Sequence, residues 1–168
     1  MAKQYAPHIE RLLTVAASGK LLAVGGRRDA VGITDSSVHL LQLPKLNARF
    51  SAPLDAAVSA LAFCGDDLLL AGTVKGDLAI WRTSGEGKTP DWQLAVHTGA
   101  VRALVASDSQ VLSVGDDGVL ALHAIEMDGD RPRLHEQAKR RLSEQQLRAV
   151  ALDAPSGSVA VAGADNTI

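Results

Sequence analysis

The feature that most constrains this chain is an apolar unit that recurs along its length and ends each time in a glycine. Four similar segments begin on an equivalent apolar residue: Ile9, Val58, Val101 and Leu147. The second apolar run of each segment ends on a glycine, at intervals of 47, 43 and 48 residues: Gly25, Gly72, Gly115 and Gly163. A repeat of this length indicates one supersecondary unit per repeat, with neighbouring units stacked to bury a continuous core.

A period in the mid-forties, with short apolar runs separated by glycine and aspartate, predicts the four-stranded antiparallel blades of a β-propeller. The chain is predicted to be one all-β domain, residues 1–168, with repeats at 9–56, 57–99, 100–146 and 147–168. The last repeat has room for only two strands, so this chain does not close the ring alone. Because an open blade edge leaves backbone donors and acceptors unpaired, we expect chain beyond Ile168 or another polypeptide to supply the remaining blades.

The third repeat carries the most specific pattern of the chain. It reads HTGAVRAL over residues 97–104, VLSVGDDG over residues 111–118 and VLALH over residues 119–123. This repeat resembles a WD repeat closely, apart from its last position. The second repeat reads GDLAIW over residues 76–81 and places Trp81 where that family has the tryptophan of its third strand. Taken over all four repeats, the resemblance to the WD-repeat family covers almost all of residues 9–168.

The resemblance implies a buried hydrogen-bonded set made of four residues. These are a histidine before the first strand, a serine or threonine in the second, an aspartate in the following turn and the tryptophan of the third. The third repeat retains His97, Ser113 and Asp117 but has His123 in place of the tryptophan, and the second retains Trp81. Because each lost member forfeits a buried hydrogen bond worth about 1 kcal/mol net, we expect aliphatic strands to stabilise most of the array.

Three segments are expected to project as recognition loops from the rims of the propeller: residues 27–34, 83–90 and 132–146. The first is about seven residues longer than the matching turn after Gly72. The second is polar and rich in glycine, which predicts a loop before the fourth strand of its blade. The third includes residues 137–146, where good helix formers cluster, and is predicted to be a longer loop with a turn of helix.

The charge of the chain bears on its partners. The formal net charge is −2, which argues against wholesale attraction to nucleic acid or membranes, and no apolar run approaches the roughly 18 residues of a membrane span. Residues 129–148 hold six basic and three acidic residues. A solvated loop is the simpler interpretation, and a surface for an acidic protein or nucleic-acid phosphate is the functional one. The candidate contact residues are Arg27, Arg28, Arg131, Arg133, Lys139, Arg140 and Arg141.

No catalytic, cofactor or metal site is predicted. His97, Ser113 and Asp117 include the residue types of a catalytic triad, but no nucleophile elbow accompanies them, and the family resemblance implies a structural role. The five histidines are scattered without the close pairing that a metal site requires. The single Cys64 has no partner for an internal disulfide.

These observations favour a non-enzymatic, cytoplasmic scaffold that presents rim loops to other protein subunits of a complex. One alternative is a sensor or regulatory propeller domain of a larger signalling or defence enzyme, which a gene extending well past one propeller would favour. A second alternative is a nucleic-acid-associated scaffold, although the basic segment lacks the aromatic residues on which single-stranded bases stack. A steep salt dependence of binding would favour that alternative.

Overall fold

The computed structural model describes residues 11–30, 33–107 and 109–164, and within these ranges the chain consists of strands and turns. Three four-stranded antiparallel sheets and one two-stranded hairpin account for all of the described strands. The prediction of an all-β chain with four-stranded antiparallel sheets is therefore confirmed. In the described ranges, no helix is long and apolar enough to cross a bilayer.

In each four-stranded sheet the spatial order of the strands follows the chain, so neighbouring strands are joined by hairpin turns. The first sheet contains β1 to β4: Arg11–Ser18, Leu21–Ala30, Ile33–Gln42 and Asn47–Leu54. The second sheet contains β5 to β8: Val58–Cys64, Leu68–Thr73, Asp77–Arg82 and Trp92–Ala95. The third sheet contains β9 to β12: Val101–Ser107, Gln110–Gly115, Val119–Asp128 and Arg131–Arg141. The remaining hairpin contains β13 and β14: Leu147–Asp153 and Ser158–Gly163.

Consecutive sheets pack side by side through their first strands, with β1 against β5, β5 against β9 and β9 against β13. Two apolar clusters fill the spaces between the four-stranded sheets. The cluster between the first and second sheets includes Leu40, Phe50, Leu69 and Trp81, and the next one is mainly aliphatic. First strands side by side, with later strands fanning outward, form the blades of a β-propeller. The described sheets make an open portion of such a ring.

A β-bulge at the start of each first strand defines which positions of the repeats are equivalent. The strand pairs that flank these bulges align four residues of the first strands: Leu12, Val58, Val101 and Leu147. Ile9, which the sequence placed first in this series, lies outside the described residues, and Leu12 holds the equivalent position. The partners across the bulge are Gly26, Thr73, Gly115 and Gly163. The alignment of glycines therefore gave the repeat length, but it matched Gly25 and Gly72 with Gly115 and Gly163, which lie one position later in their repeats.

Gly25 and Gly72 lie one position before Gly26 and Thr73, where the next sheet comes closest. A Cβ atom on Gly25 would lie 2.6 Å from Cγ1 of Val58, and one on Gly72 would lie 2.5 Å from Cγ1 of Val101. Both distances are shorter than a van der Waals contact, so neither position has room for a side chain. These glycines are present because the first strand of the following sheet packs directly against the backbone of the second strand.

Because neighbouring strands run in opposite directions, their turns fall on two opposite rims. We call the rim with the second-to-third strand turns and the connections between sheets the upper rim, and the opposite one the lower rim. Like turns of neighbouring sheets meet: Ser18 Oγ, in the first turn of the first sheet, donates to Asp66 Oδ1 of the second at 2.6 Å. The loop at residues 83–90 lies between β7 and β8 on the lower rim, in agreement with the sequence prediction.

The prediction of a rim loop at residues 27–34 is wrong. β2 continues to Ala30 and β3 begins at Ile33, and the pairs Arg28 with Asp35, Asp29 with Thr34 and Ala30 with Ile33 extend the hairpin. An insertion that adds the same number of residues to both strands lengthens a hairpin without altering its register. The side chains of Arg27 and Arg28 lie outside the described part of the structure.

The prediction of a loop with a helical turn at residues 132–146 is also wrong for most of that segment. β12 extends to Arg141 and pairs with β11 from Asp128 opposite Arg131 to Val119 opposite Arg141. Only residues 142–146 lie outside a strand. The helix propensity of residues 137–141 amounts to a few tenths of a kcal/mol per residue, and pairing with the long neighbouring strand overrides it.

We expect the β2–β3 extension to be dispensable for folding, because beyond Arg28 it pairs only with itself. Replacing residues 29–34 by the two-residue turn Asn-Gly should change the free energy of unfolding by less than about 1 kcal/mol, measured by urea denaturation. Gly25→Val in the same strand is the contrasting variant and should cost about 1–3 kcal/mol by overpacking against Val58. A larger loss in the shortened protein than in Gly25→Val would show that the extension packs on the blades.

Candidate functional site

A buried polar cluster at the upper rim links the third sheet to the connection that precedes it. His97 follows β8, Ser113 lies in β10, and Asp117 lies in the turn before β11. His97 Nδ1 is 3.0 Å from Asp117 Oδ1, and His97 Nε2 is 2.9 Å from Ser113 Oγ. The Asp117 carboxylate can only accept a hydrogen bond, so the ring proton of His97 lies on Nδ1. Nε2 then accepts a hydrogen bond from the Ser113 hydroxyl. The structure therefore brings together the three residues that the sequence grouped.

Asp117 is the centre of this cluster. Its carboxylate also accepts the backbone N–H of Thr98 at 3.0 Å and that of Val119 at 3.2 Å. Burial by itself raises the pKa of Asp117, but the hydrogen bonds from His97, Thr98 and Val119 outweigh it and hold the pKa below its ordinary value. Ser113 is completely buried, so its hydroxyl is closed to a substrate in this conformation. The arrangement fastens the connection between sheets to the β10–β11 turn.

The second sheet lacks this cluster and closes its turn in another way. Trp81 is buried, and its indole Nε1 has no hydrogen-bond partner among the described residues. Thr73 Oγ1 accepts the backbone N–H of Lys75 at 3.3 Å and that of Asp77 at 3.2 Å, so a threonine replaces the turn aspartate. The sequence analysis missed Thr73 because it aligned Gly72, rather than Thr73, with Gly115.

His123 occupies the tryptophan position of the third sheet. Its side chain is completely buried, and neither ring nitrogen has a hydrogen-bond partner in the described part of the chain. Burial lowers the pKa of His123 below its ordinary value of 6.5. A buried imidazole without partners is costly, and it would be more costly still if it carried a charge. This position therefore keeps a neutral histidine in an apolar interior.

Five of the seven basic residues predicted to contact a partner lie on β12, the outermost strand of the third sheet, whereas Arg27 and Arg28 lie on β2. Three of these five have partners within the chain. Arg133 pairs with Asp128 at 2.6 Å and lies 5.4 Å from the centre of the Trp92 ring. Arg141 pairs with Glu144 at 3.4 Å, and Lys139 Nζ donates to the carbonyl of Val96.

Two other arginines of β12 differ from these three. Arg131 and Arg140 are exposed and have no hydrogen bond or ion pair with any described residue. Arg131 lies at the lower-rim end of the strand and Arg140 near its upper-rim end. The basic segment is thus mostly a strand rather than a loop, and two of its guanidinium groups are unpaired within the part of the chain that the structure describes.

The sequence analysis missed an ion pair at the upper rim. Arg102 donates from Nε and Nη2 to the two carboxylate oxygens of Asp116, and both distances are 2.6 Å. The hydrogen bond to Asp116 raises the pKa of Arg102 above its already high value. The signal was present in the sequence, because Arg102 follows the first apolar residue of its repeat and Asp116 follows the glycine.

We predict that Asp117→Ala lowers the free energy of unfolding by about 1–3 kcal/mol, because it leaves the buried His97 ring and the Thr98 N–H unpaired. Urea denaturation at neutral pH measures this loss. The matched control is Asp116→Ala, the neighbouring aspartate, whose partly exposed ion pair should contribute less than about 1 kcal/mol. Equal losses in the two variants would contradict the central role of Asp117.

We also predict that stability decreases on mild acidification because of His123. The unfolded chain binds a proton on this ring near pH 6.5, whereas the folded chain does so only at lower pH, so lowering the pH from about 7 to about 5 favours unfolding. His123→Leu should remove this part of the pH dependence and raise the free energy of unfolding by about 1 kcal/mol. His135→Gln, at an exposed histidine of β12, is the control. Identical pH slopes in the wild type and His123→Leu would refute the assignment.

Comparisons with known proteins support the fold. The structure is similar to a chain in the "Crystal Structure of Mitotic Checkpoint Complex", with a TM-score of 0.70 and 18% sequence identity. The similarity covers 89% of this chain and 45% of that one, so the chain spans less than half of the length of the similar chain. No protein-family model and no curated protein matches the sequence. In total 667 solved chains match this structure, so the likeness identifies a common fold, the β-propeller, rather than one function.

Proposed function

We propose that this chain is part of a WD-repeat propeller that acts as a non-enzymatic scaffold for protein subunits of a larger assembly. The observation that carries the proposal is β12, a long outer strand whose exposed side chains include five basic residues. Two of them, Arg131 and Arg140, have no partner among the described residues. Unpaired guanidinium groups held on a rigid strand suit binding to a partner with acidic side chains.

The internal contacts of β12 support its role as a binding surface. Arg133 is held against Trp92 and Asp128, and Lys139 is held on the Val96 carbonyl, so the strand is fastened to the second sheet. Because the strand is fixed at these points, binding does not have to order its backbone, and the entropy cost is confined to the side chains that a partner immobilises. Lysine and arginine on an edge strand also prevent pairing with other strands, and the experiment below separates this purely protective role from binding.

The assignment to the WD-repeat family is supported by the buried polar cluster of the third sheet. His97, Ser113 and Asp117 lie within hydrogen-bond distance of one another, in the arrangement that the resemblance implies. The similar solved chain belongs to a complex, which supports protein partners for this chain as well. Trp81 and His123 mark the departures from the family pattern, since neither side chain has a hydrogen-bond partner in the described residues.

We predict that a protein partner depends on the unpaired arginines of β12. The chain is purified with its bound proteins from its native extract, and the affinity of the recovered partner is then measured with purified components. The double variant Arg131→Gln with Arg140→Gln should weaken this complex by about tenfold and flatten its salt dependence, without changing the melting temperature by more than a few degrees.

The matched control is Lys45→Gln with Arg49→Gln, which removes the same charge from exposed positions of the first sheet. An unchanged affinity in the β12 variant, or an equal loss in the control, would contradict the proposal. If nuclease treatment abolishes recovery of the partner, the chain is a nucleic-acid-associated scaffold instead.

A further inference from the structure

The β-bulge of each first strand places one residue at the same point of the upper rim. The four bulge residues are Leu13, Ser59, Arg102 and Arg148. Arginine therefore occupies this place in the two consecutive first strands β9 and β13. A bulge re-aims the side chain of its extra residue, so the two arginines share a backbone setting that the other residues of their strands lack.

A second position faces the bulge in each of the last three repeats. It is the first residue of the upper-rim turn, and in each repeat its N–H donates to the carbonyl that precedes the first strand. Val74 donates to Ala57 at 2.9 Å, Asp116 to Ala100 at 2.9 Å, and Ala164 to Gln146 at 2.8 Å. These three bonds align Asp116 of the third sheet with Ala164 of the last hairpin independently of the strand register.

The third sheet shows what this pair of positions can hold. Arg102 donates one hydrogen bond to each carboxylate oxygen of Asp116, both at 2.6 Å. The exposed fraction of the side chain is 43% for Arg102 and 21% for Asp116. The two-pronged geometry is the strongest form of an arginine–carboxylate contact. In the last hairpin the arginine is present as Arg148, but Ala164 stands where the carboxylate would be. Arg148 is exposed and has no partner among the described residues.

We propose that Arg148 binds an aspartate or glutamate side chain of a partner protein, which takes the place that Asp116 fills beside Arg102. The proposal rests on the scaffold function proposed above and specifies the chemistry of its partner at the upper rim. The carboxylate is preferred to a phosphate because the equivalent site already holds a carboxylate in bidentate contact. A partner carboxylate at this place would give Arg148 the contact that Arg102 makes with Asp116 inside the chain.

Arg140 lies on the face of the third sheet that is turned towards the last hairpin. It pairs across strands with Leu120, and Leu120 lines one pocket together with Leu147 and Gly163, the chain neighbours of Arg148 and Ala164. A cross-strand pair places both side chains on one face of the sheet. Arg140 and Arg148 therefore both lie near the upper rim, and neither guanidinium group has a partner among the described residues, which favours a partner segment with more than one acidic residue.

The experiment measures binding of fluorescently labelled poly-L-glutamate to the 168-residue chain by anisotropy at low salt. Arg148→Gln should weaken binding by about two- to fivefold, the range for an exposed ion pair. Ala164→Asp keeps the arginine but supplies an internal carboxylate, so it should weaken binding by a similar factor. Asp116→Ala frees Arg102 and should strengthen binding. Thermal melts of all variants establish that the folded protein is being compared.

The control is Arg49→Gln, at an exposed arginine of β4 in the first sheet, which should bind the probe as the wild type does. Absence of binding by the wild type, full binding by Ala164→Asp, or an equal loss in Arg49→Gln would each overturn the proposal. The proposal would also be overturned if an oligothymidylate of equal charge bound more tightly than poly-L-glutamate and if Arg148→Gln weakened that binding. If the variants behave as expected but no protein partner is recovered from the native extract, the carboxylate site stands and the scaffold function fails.

Discussion

The close approach of consecutive first strands is the constraint on which the rest of this structure depends. Val58 and Val101 each pack onto the backbone of the preceding sheet where a glycine leaves room, and Ser59 Oγ donates to the Val101 carbonyl at 2.6 Å. Stacking at this distance buries one apolar cluster between the first and second sheets and another between the second and third. This stacking also places equivalent turns of neighbouring sheets side by side along each rim. A side chain that differs between two repeats therefore changes one of two neighbouring surface positions.

Polar contacts reinforce this stacking unevenly. The third sheet has the cluster of His97, Ser113 and Asp117, whereas the second closes its turn with Thr73 and leaves the Trp81 indole without a described partner. His123 of the third sheet resembles Trp81 in this respect, since it is buried and its ring nitrogens have no hydrogen-bond partner among the described residues. Because a buried group without a partner lowers stability while a satisfied one raises it slightly, we expect the apolar strands to provide most of the stability. The polar cluster joins the connection before β9 to the β10–β11 turn.

The candidate interaction surfaces follow from the same repetition. β12 is longer than the outer strands of the other sheets and carries basic side chains, some held internally and some free. At the upper rim, the last hairpin has Arg148 at the position of Arg102 in the third sheet, but it has Ala164 at the position of Asp116. Repeats that share a backbone but differ in one side chain provide their own controls, and the proposals for Arg140 and Arg148 depend on that comparison.

The sequence by itself determined the repeat architecture and the all-β class, because the same stacking contact recurs from repeat to repeat and leaves a glycine and apolar runs at a regular spacing. It also grouped His97, Ser113 and Asp117 through the family resemblance. Only the tertiary structure decided that residues 27–30, 33–34 and 132–141 belong to strands, since pairing with a neighbouring strand outweighs weak local preferences. It likewise decided which basic residues have partners. The reason is that Arg102 and Asp116, or Lys139 and the Val96 carbonyl, meet only after strand register and sheet stacking have been established.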